Sequence, residues 1–496
     1  MSTSTSATSE PTVYPAFIAG EATSRVARSA SATIPVLDKH TGETFARAAS
    51  AQPAEVERAI AAAEESRAAM AALDMTQRAQ ILESLAEAVR AQREEAVGLL
   101  IREAGKCRKD AAVEADRCAQ TFAIAADAAR HGFGGDGASR RFHRHLPETH
   151  RARVARAPIG VCGFITPFNF PLNLTAHKIA PAILAGCPFV LKPSDKAPLC
   201  ALFLGGLLAE AEALPKGGWS VFATTVEHSS AIVEDRRIAF FSFTGSDEVG
   251  WELQRRSAAR RVALELGGDA ACVIAGDLTP AQLDQAASRV TAGAFTYAGQ
   301  SCISTQRVLV HESAFDAFVE RLLERVAALR GGDPYDEATA VGPLIDAAAA
   351  DRVESWVRKA KADGATIHTP FERRGNVISP TVVSGAPPET PLAWNEIFGP
   401  VVVLSTYREL DEAIERVNAS PFGLQAGVFS SDEATLERFA EEVAAGGVVL
   451  NDVPSTRFDA MPYGGLKRSG VGREGPEFAA EEMTETKLIL SADMPC

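Results

Sequence analysis

The stretch "GVCGFITPF", Gly160 to Phe168, is the best indicator of the fold class of this chain. It is a short apolar segment that runs into a turn with proline. Similar segments follow in "PFVLKPS", "WSVFAT", "IAFFSFTGS" and "RVALELGG", and helical stretches such as "ALFLGGLLAEAEAL" lie between them. Strands that alternate with helices favour a parallel sheet, so we predict an α/β domain here.

A second series of apolar segments follows: "AACVIAG", "QRVLVHE", "VVVLSTY", "AGVFSS" and "GGVVLND". It predicts a second α/β domain, and we expect the two domains to meet near residues 266–269. Residues 53–130 are rich in Ala, Glu, Leu and Arg with apolar residues at helical spacing, which predicts helices. The glycine-rich and basic stretch that follows has no apolar period and predicts a loop with an exposed strand.

The length, composition and net charge of the chain exclude several classes of protein. A chain of 496 residues is too long for one core, and its 46% hydrophobic and 23% charged residues are typical of a soluble globular protein. The net charge of -14, without a basic stripe, argues against nucleic-acid binding. No apolar run reaches the ~20 residues of a membrane helix. The N-terminus lacks signal-peptide features, so we expect a cytoplasmic protein. The eight cysteines form no CxxC pair and the nine histidines no HExxH, so we expect no metal site.

Three stretches contain candidate catalytic groups. In "FTYAGQSCIST", Cys302 follows small and polar residues and is either an accessible nucleophile or a small buried side chain. In "VALELGGD", Glu265 is either a general base with a raised pKa in an apolar cleft or a surface glutamate. In "ITPFNFPLN", Asn169 is either a rigid oxyanion donor or a plain turn residue. Taken singly, none of these stretches decides between its two interpretations.

Three further stretches suggest cofactor binding. "FTGSDEVG" is a plausible phosphate-binding turn at a helix start, although it is not a GxGxxG motif. "VLKPSDKAP" places a lysine and an aspartate at a strand end, where a nucleotide ribose can bind. "WNEIFGPVV" offers a carboxylate for a second ribose. Each is also compatible with an ordinary solvated turn.

In combination these stretches resemble the aldehyde dehydrogenase superfamily. The resemblance covers about Pro53 to Leu490, and it rests on "PFNFP", "KPS", "FTGS", "ELGG", "GQSC", "EIFGP" and "PYGGLKRSGVGREG", which occur in the family's order and spacing. Within the family, "NFPLNLTAHKIAPAILAG" and "MPYGGLKRSGVGREGPEFAAEEMTE" look most like the branch of lactaldehyde and phosphonoacetaldehyde dehydrogenases. The resemblance implies two Rossmann-like parallel-sheet domains and a small β oligomerisation excursion.

The resemblance also implies a mechanism. Cys302 would attack the aldehyde carbon, and the Asn169 amide with the Cys302 backbone N–H would stabilise the oxyanion. Hydride transfer would leave a thioester, which a water activated by Glu265 would hydrolyse. Lys178 is the fourth residue that we assign to catalysis.

The cofactor and substrate residues carry over in the same way. The cofactor residues would be Ile165, Thr166, Pro167, Lys192, Ser194, Asp195, Gly245, Ser246, Glu396 and Phe398. NAD-preferring members often have glutamate where this chain has Asp195; we expect NAD, with NADP use possible because Lys196 offsets the charge. The substrate residues would be Arg457, Arg117, Ser301, Phe170 and His177. Arginines in these relatives clamp anionic tails, so we expect a small aldehyde with an anionic or hydroxylated tail.

Two rival functions exist. A dehydrogenase that passes its thioester to coenzyme A would generally lack the "ELGG" glutamate, which is present here. A binding or structural protein that keeps the fold without activity could lose its nucleophile, which is retained. The resemblance further implies a homodimer or homotetramer. The expected domains are residues 1–12 as a disordered tail, 13–131 and 154–265 for cofactor binding, 266–480 for catalysis, and 132–153 with 481–496 for oligomerisation.

Overall fold

The computed structural model describes residues 11–23, 32–133, 146–147 and 150–492. Most of the expected disordered tail, residues 1–12, lies outside these ranges. Thr12 already belongs to the first strand, which pairs with a strand of the first domain, so the folded part begins slightly earlier than we expected. Most of the basic stretch at 132–153 also lies outside the described residues.

The elements of the N-terminal half alternate between strands and helices after residue 150. The strands are β1 (Thr12–Tyr14), β2 (Phe17–Ile18), β3 (Glu21–Ala22), β4 (Thr33–Leu37), β5 (Thr44–Ala49), β6 (His150–Pro158), β7 (Val161–Ile165), β8 (Phe189–Lys192), β9 (Trp219–Val221), β10 (Ile238–Thr244) and β11 (Arg261–Glu265). The helices are α1 (Pro53–Glu65), α2 (Arg67–Ala72), α3 (Met75–Ala91), α4 (Arg93–Ala104), α5 (Arg108–Arg130), α6 (Asn173–Ala185), α7 (Leu199–Glu210), α8 (Ser230–Glu234) and α9 (Asp247–Arg256).

The C-terminal half repeats this alternation. The strands are β12 (Ala271–Ile274), β13 (Arg307–His311), β14 (Thr366–Ile367), β15 (Arg373–Arg374), β16 (Val377–Ile378), β17 (Thr381–Ser384), β18 (Val401–Tyr407), β19 (Phe422–Gly423), β20 (Gln425–Phe429), β21 (Gly447–Leu450), β22 (Leu466–Lys467), β23 (Gly470–Val471) and β24 (Thr484–Ala492). The helices are α10 (Pro280–Phe295), α11 (Phe315–Ala327), α12 (Ala347–Ala362), α13 (Pro391–Trp394), α14 (Leu410–Asn418), α15 (Glu433–Glu442) and α16 (Pro476–Glu482), with short 3₁₀ turns at Thr296–Gly299 and Glu312–Ala314.

The first sheet is doubly wound, as the alternation of strands and helices predicts. Its order is β23-β11-β10-β7-β8-β9-β2-β3, and the five strands from β11 to β9 are parallel. The strand order reverses at β7, which lies between β8 and β10. A crevice forms at such a switch point, beyond the carboxyl ends of the strands, and ligands bind there. The carboxyl ends of β7, β8, β10 and β11 therefore position a site at this edge.

Side chains of β7 alternate between two buried faces of this sheet. Cys162 and Phe164 pack with α3 to α7 on one face, whereas Val161 packs with α1 and α8 on the other. Burial on both faces explains why the strands are apolar runs instead of alternating patterns. Helix α1 begins at Pro53 behind a capping box formed by Gln52 and Glu55, a start signal visible in the sequence.

The second sheet has the order β14-β17-β18-β13-β12-β20-β21 and is parallel except for β14. Five of its seven strands, β12, β13, β18, β20 and β21, coincide with the five apolar segments that predict a second domain, whereas no predicted segment matches β14 or β17. The fold class, two Rossmann-like parallel-sheet domains, is thereby confirmed. Residues 470–480, which we assigned to the catalytic domain, contact the first domain instead, because β23 pairs with β11 and α16 packs on α5 and α6.

A separate two-stranded ribbon joins β6 and β24, antiparallel over nine residue pairs from Thr484 and Pro158 to Ala492 and His150. Residues 154–158, which we assigned to the cofactor domain, belong to this ribbon. Leu488 is 58% exposed on it. No helix of the described ranges is long and apolar enough to cross a membrane.

Candidate active site

The loop that carries Cys302 is held in an unusual backbone conformation. After α10 ends, Tyr297, Ala298 and Gly299 have φ angles of 51°, 53° and 69°, in the left-handed region that side chains other than glycine avoid. A residue other than glycine stays in this region only where its surroundings hold it. The Tyr297 N–H donates to Asp110 Oδ2 at 3.0 Å, and its hydroxyl donates to the Ala104 carbonyl at 2.8 Å. These long-range contacts fix the turn.

Two further contacts hold the segment just before the thiol. The buried Gln300 side chain accepts the Ile345 N–H at 2.9 Å. A Cβ atom at Gly268 would lie 2.2 Å from the Cys302 carbonyl oxygen, so only glycine lets the "ELGG" turn approach this closely. The "GQSC" and "ELGG" motifs are therefore in direct backbone contact, although more than thirty residues separate them in the sequence.

The Cys302 side chain is half-buried between the two domains. Its Sγ lies 2.9 Å from the Tyr463 hydroxyl oxygen. Burial raises the pKa of the thiol to about 12, while the Tyr463 hydrogen bond and the nearby Arg457 charge act in the opposite direction. Six other cysteines of the described residues are free and buried. Cys302 is thus the partly accessible thiol of the described chain.

Glu265 ends β11 and is buried, with 4% of its surface exposed. Neither carboxylate oxygen has a hydrogen-bond partner among the described residues. Burial, with a smaller contribution from the charge of Glu474, raises the pKa of Glu265 well above its ordinary value. A Cβ atom at Gly464 would lie 3.0 Å from Glu265 Oε1, so the residue after Tyr463 contacts this carboxylate. A buried and unpaired carboxylate is poised to accept a proton.

A charged network lies behind these two groups. Lys178 Nζ lies 2.8 Å from Glu474 Oε1 and donates to the Ser242 hydroxyl at 2.8 Å. The other oxygen of Glu474 accepts from Arg457 Nη2 at 2.8 Å. Burial alone would raise the pKa of Glu474, but the positive charges of Lys178 and Arg457 outweigh it and lower this pKa to about 2. Glu474 therefore stays ionised beside Glu265, whose own pKa is raised.

Tyr463 and Glu474 are absent from the site residues that we predict from the sequence. Both lie inside the quoted stretch "PYGGLKRSGVGREG". The sequence signal for Tyr463 was its hydroxyl among the apolar residues and glycines of "AMPYGGL". A tyrosine hydroxyl requires a hydrogen-bond partner when it is buried.

Asn169 is buried in the turn after β7, and its Nδ2 donates to the Gln300 carbonyl at 3.1 Å. The amide thus lies against the loop that carries Cys302, as an oxyanion donor for this thiol must. The Asn169 carboxamide has a second N–H, which can donate to a ligand while the first donates to the Gln300 carbonyl.

The predicted cofactor residues gather at the carboxyl edge of the first sheet. Ile165 and Lys192 are paired in register at the ends of β7 and β8. Lys192 Nζ lies 2.6 Å from Asp195 Oδ1. Ser246 precedes α9, whose first turn opens at the end of β10. The remaining residues of this edge are Thr166, Pro167, Ser194 and Gly245, all in the turns that follow β7, β8 and β10.

Glu396 comes from the second domain and reaches the same crevice. Its Oε1 accepts the Gly268 N–H at 2.9 Å, and burial raises its pKa to about 8. Phe398, with φ of 46°, packs edge-on against Phe168 with ring centroids 5.9 Å apart. The structure therefore brings both domains to one crevice between the sheet edge and the thiol.

The predicted substrate arginines are both paired with carboxylates. Arg457 is 9% exposed, contacts Glu474 and lies 3.7 Å above the centre of the Tyr463 ring. Arg117 forms a bidentate pair with Asp459, at 3.0 and 2.7 Å. Arg117 is therefore anchored to the loop that also carries Arg457.

The other three predicted substrate residues lie in different surroundings. His177 is buried, and its Nε2 lies 2.9 Å from Asp459 Oδ1, so it joins Arg117 on one carboxylate. Phe170 packs edge-on against Tyr297, with ring centroids 5.9 Å apart, and Lys106 Nζ lies 3.5 Å from the centre of its ring. Ser301 is half-buried beside Cys302. No cluster of potential metal ligands occurs within the described residues.

The comparisons with known proteins agree with this geometry. A sequence model described as "Aldehyde dehydrogenase family" matches residues 26–489, so the chain belongs to that family. It is an NAD(P)-dependent enzyme that oxidises aldehydes, and the resemblance drawn from its motifs is confirmed. The chain is 38% identical over 458 residues to a 3-sulfolactaldehyde dehydrogenase of Priestia megaterium, covering 92% of this chain and 94% of that protein. It is 37% identical over 443 residues to a lactaldehyde dehydrogenase of Methanocaldococcus jannaschii, covering 88% and 92%.

Solved structures show the same fold. Aldehyde dehydrogenase 21 from Physcomitrella patens, in complex with the reaction product succinate, superposes with a TM-score of 0.92 at 37% identity, covering 97% of this chain and 99% of that one. The glyceraldehyde-3-phosphate dehydrogenase GapN from Methanocaldococcus jannaschii, complexed with NADP, gives a TM-score of 0.87 at 34% identity, covering 92% and 99%.

Proposed function

We propose that this enzyme oxidises a small aldehyde with an anionic tail to its carboxylic acid, through a covalent intermediate on Cys302. The observation that carries the proposal is the placement of the partly accessible Cys302 thiol and the unpaired Glu265 carboxylate on the two sides of the Tyr463–Gly464 turn. A nucleophile and a base beside one crevice are what acyl chemistry requires.

Cys302 acts first. Its thiolate forms a bond to the aldehyde carbon, and the carbonyl electrons move to oxygen. The Asn169 amide, which lies beside the Cys302 loop, and the Cys302 backbone N–H stabilise that oxyanion. The nicotinamide cofactor, when bound, supplies the acceptor for the hydride that leaves this carbon. The product on the enzyme is then a thioester.

Glu265 acts in the second half of the reaction. It takes a proton from a water as the water oxygen bonds to the thioester carbon, and the carbon–sulfur bond breaks to release the acid and the Cys302 thiolate. Because the pKa of Glu265 is raised, the carboxylate is basic enough for this step. Lys178 and Glu474 place a fixed positive and a fixed negative charge behind it. Water, and not coenzyme A, is therefore the acceptor that we propose.

The residues present fit a nicotinamide dinucleotide. Lys192 and Asp195 present a cation and a carboxylate to one ribose at the end of β8, and Glu396 presents a carboxylate to the second. Gly245 and Ser246 lead into α9, and the backbone N–H groups at the start of a helix suit a pyrophosphate. Ile165, Thr166, Pro167 and Phe398 line the edge between these groups.

An anionic tail is favoured because the positive charge of Arg457 lies near the thiol. Arg457 lies behind Tyr463, and Arg117 is anchored to Asp459 two residues further on. The named relatives fit this idea: one acts on 3-sulfolactaldehyde, and one structure contains the product succinate. Both compounds carry a negative charge away from the reacting carbon.

A panel assay tests the function. The absorbance of reduced cofactor would be followed with sulfolactaldehyde, sulfoacetaldehyde, phosphonoacetaldehyde, succinic semialdehyde, lactaldehyde and glycolaldehyde, each with NAD and with NADP. We expect an anionic aldehyde to exceed the neutral ones by about tenfold or more in kcat/KM, equivalent to about 1.4 kcal/mol. A lead by the neutral aldehydes would contradict the anionic tail but not the dehydrogenase chemistry.

Arg457→Gln is expected to remove this selectivity. The ratio of kcat/KM for the preferred anionic aldehyde to that for glycolaldehyde should fall by about tenfold to a hundredfold, the value of one hydrogen bond to a charged group. Arg117→Gln serves as the comparison, because Arg117 Nε and Nη2 are paired with Asp459 and not with Glu474. An unchanged ratio in Arg457→Gln would exclude the clamp.

Asp195→Ser is expected to shift cofactor use toward NADP. The Asp195 carboxylate repels a 2′-phosphate and also occupies Lys192 at 2.6 Å, so its removal frees a cation for that phosphate. We expect kcat/KM with NADP to rise on the order of tenfold relative to NAD. Asp195→Glu keeps the charge and should keep the NAD preference. If Asp195→Ser and Asp195→Glu changed the ratio of kcat/KM with NADP to kcat/KM with NAD in the same way, the charge at residue 195 would not determine cofactor preference.

We also propose a homodimer or homotetramer and a cytoplasmic location. The β6–β24 ribbon supports the first, because it exposes Leu488 and Leu490 away from both sheets. The second is supported by the thiol chemistry: Cys302 must stay reduced to attack an aldehyde.

A further inference from the structure

The Tyr463 hydroxyl contacts the proposed nucleophile directly. Its oxygen lies 2.9 Å from Cys302 Sγ, and the residue is 3% exposed. The two residues are 161 positions apart in the sequence, so this contact is made by the fold. A buried phenol generally requires a hydrogen-bond partner, and the partner of Tyr463 is the sulfur atom.

The phenol is the donor once the sulfur is ionised. A thiolate can only accept a hydrogen bond, whereas the tyrosine oxygen carries a proton. Burial, together with the adjacent Cys302, raises the pKa of Tyr463 well above its ordinary value, so the phenol stays protonated. A hydrogen bond to a charged acceptor is about twice as strong as a neutral one. The contact therefore favours the thiolate over the thiol.

Arg457 strengthens the Tyr463 hydroxyl as a donor through its contact with the face of the ring. Its guanidinium carbon lies 3.7 Å from the ring centre, within the range of a cation–π contact. Glu474 holds the guanidinium in place at 2.8 Å. A fixed cation against the ring both orients the phenol and draws electron density from its hydroxyl. The order Glu474, Arg457, Tyr463, Cys302 forms one continuous chain of contacts.

We propose that Tyr463 is a positioning residue that donates a hydrogen bond to the Cys302 thiolate, fixes the direction of the sulfur, and increases the fraction of thiolate available for attack. The proposal rests on Cys302 being the nucleophile of the proposed function. The thiol proton leaves to water, and the tyrosine proton stays on its oxygen. A hydrogen-bonded thiolate is a weaker nucleophile per molecule, but below the thiol pKa its greater abundance outweighs that loss.

Alkylation of Cys302 by iodoacetamide, measured by peptide mass spectrometry across pH, tests the proposal without substrate or cofactor. Tyr463→Phe keeps the ring against Arg457 and removes only the hydroxyl. We expect its alkylation midpoint about one pH unit above that of the native chain, with alkylation about threefold slower at neutral pH, because the scarcer thiolate is also more reactive. Tyr407→Phe is the matched control, because its buried hydroxyl donates to the Ile274 carbonyl and its alkylation profile should match the native one.

A second measurement should shift the alkylation midpoint of Cys302 in the opposite direction. Replacement of Tyr463 by meta-fluorotyrosine makes the phenol more acidic and a better donor. The midpoint of Cys302 alkylation should therefore move to lower pH. An unchanged midpoint in Tyr463→Phe, with a native thermal unfolding curve, would overturn the proposal and leave Tyr463 as a packing residue. If alkylation of Cys302 leaves the native dehydrogenase active, the proposed function fails instead.

Discussion

A Cys302→Ala variant is expected to lose aldehyde oxidation by a factor on the order of 10⁶, the effect of removing a covalent nucleophile. No other described thiol can substitute, because the other described cysteines are buried. The measurement is the steady-state rate of cofactor reduction with the preferred aldehyde of the panel.

The control for this variant is Cys272→Ala, which removes a buried thiol in β12 that no catalytic step uses. It should retain native activity apart from a modest loss of stability. Cys302→Ala should still bind NAD, measured by titration calorimetry, because none of the proposed cofactor groups is changed. Substantial oxidation by Cys302→Ala would mean that the reaction does not pass through this sulfur.

A Glu265→Gln variant is expected to stall after the first half-reaction. Its steady-state kcat should fall by about 10²- to 10⁴-fold, the contribution of a general base. A rapid first turnover should remain, giving one reduced cofactor per active site, because thioester formation precedes the action of Glu265. Rapid-mixing absorbance measurements would show this burst.

Hydroxylamine provides the matched experiment for that variant. It attacks a thioester without a general base, so it should restore turnover and yield a hydroxamate. Glu265→Asp, which keeps a carboxylate one methylene shorter, should fall between the native chain and Glu265→Gln. Absence of the burst would place Glu265 in the first half-reaction, contrary to the proposal.

The pH dependence of stability gives an independent test of Glu265. Its pKa is raised in the folded state, so the unfolded state ionises first and the folded state loses stability as pH rises from about 4, the unfolded value, through the folded pKa. Glutamine removes that ionisation. The free energy of unfolding of Glu265→Gln, measured by denaturant titration, should therefore gain on the native chain between acidic and neutral pH.

The sequence determined the fold class, the family and the main candidate groups of the site. This was possible because its signals are local: apolar segments alternate with helical stretches, and the chemical groups sit in short strings such as "ELGG" and "GQSC". Positions at the carboxyl ends of parallel strands meet by the geometry of the sheet, so Lys192 and Glu265 could be placed at one edge from the pattern alone.

Only the tertiary structure decided which groups are partners. The sequence does not indicate the partner of Arg117, but packing of α5 against the loop at Asp459 pairs the two residues across 342 positions. Tyr463 meets Cys302 across 161 positions. Local propensity contains no information about such contacts, because they join residues far apart in the sequence that only the packing of elements brings together. That packing sets the environment of the thiol, and hence the pH at which its chemistry begins.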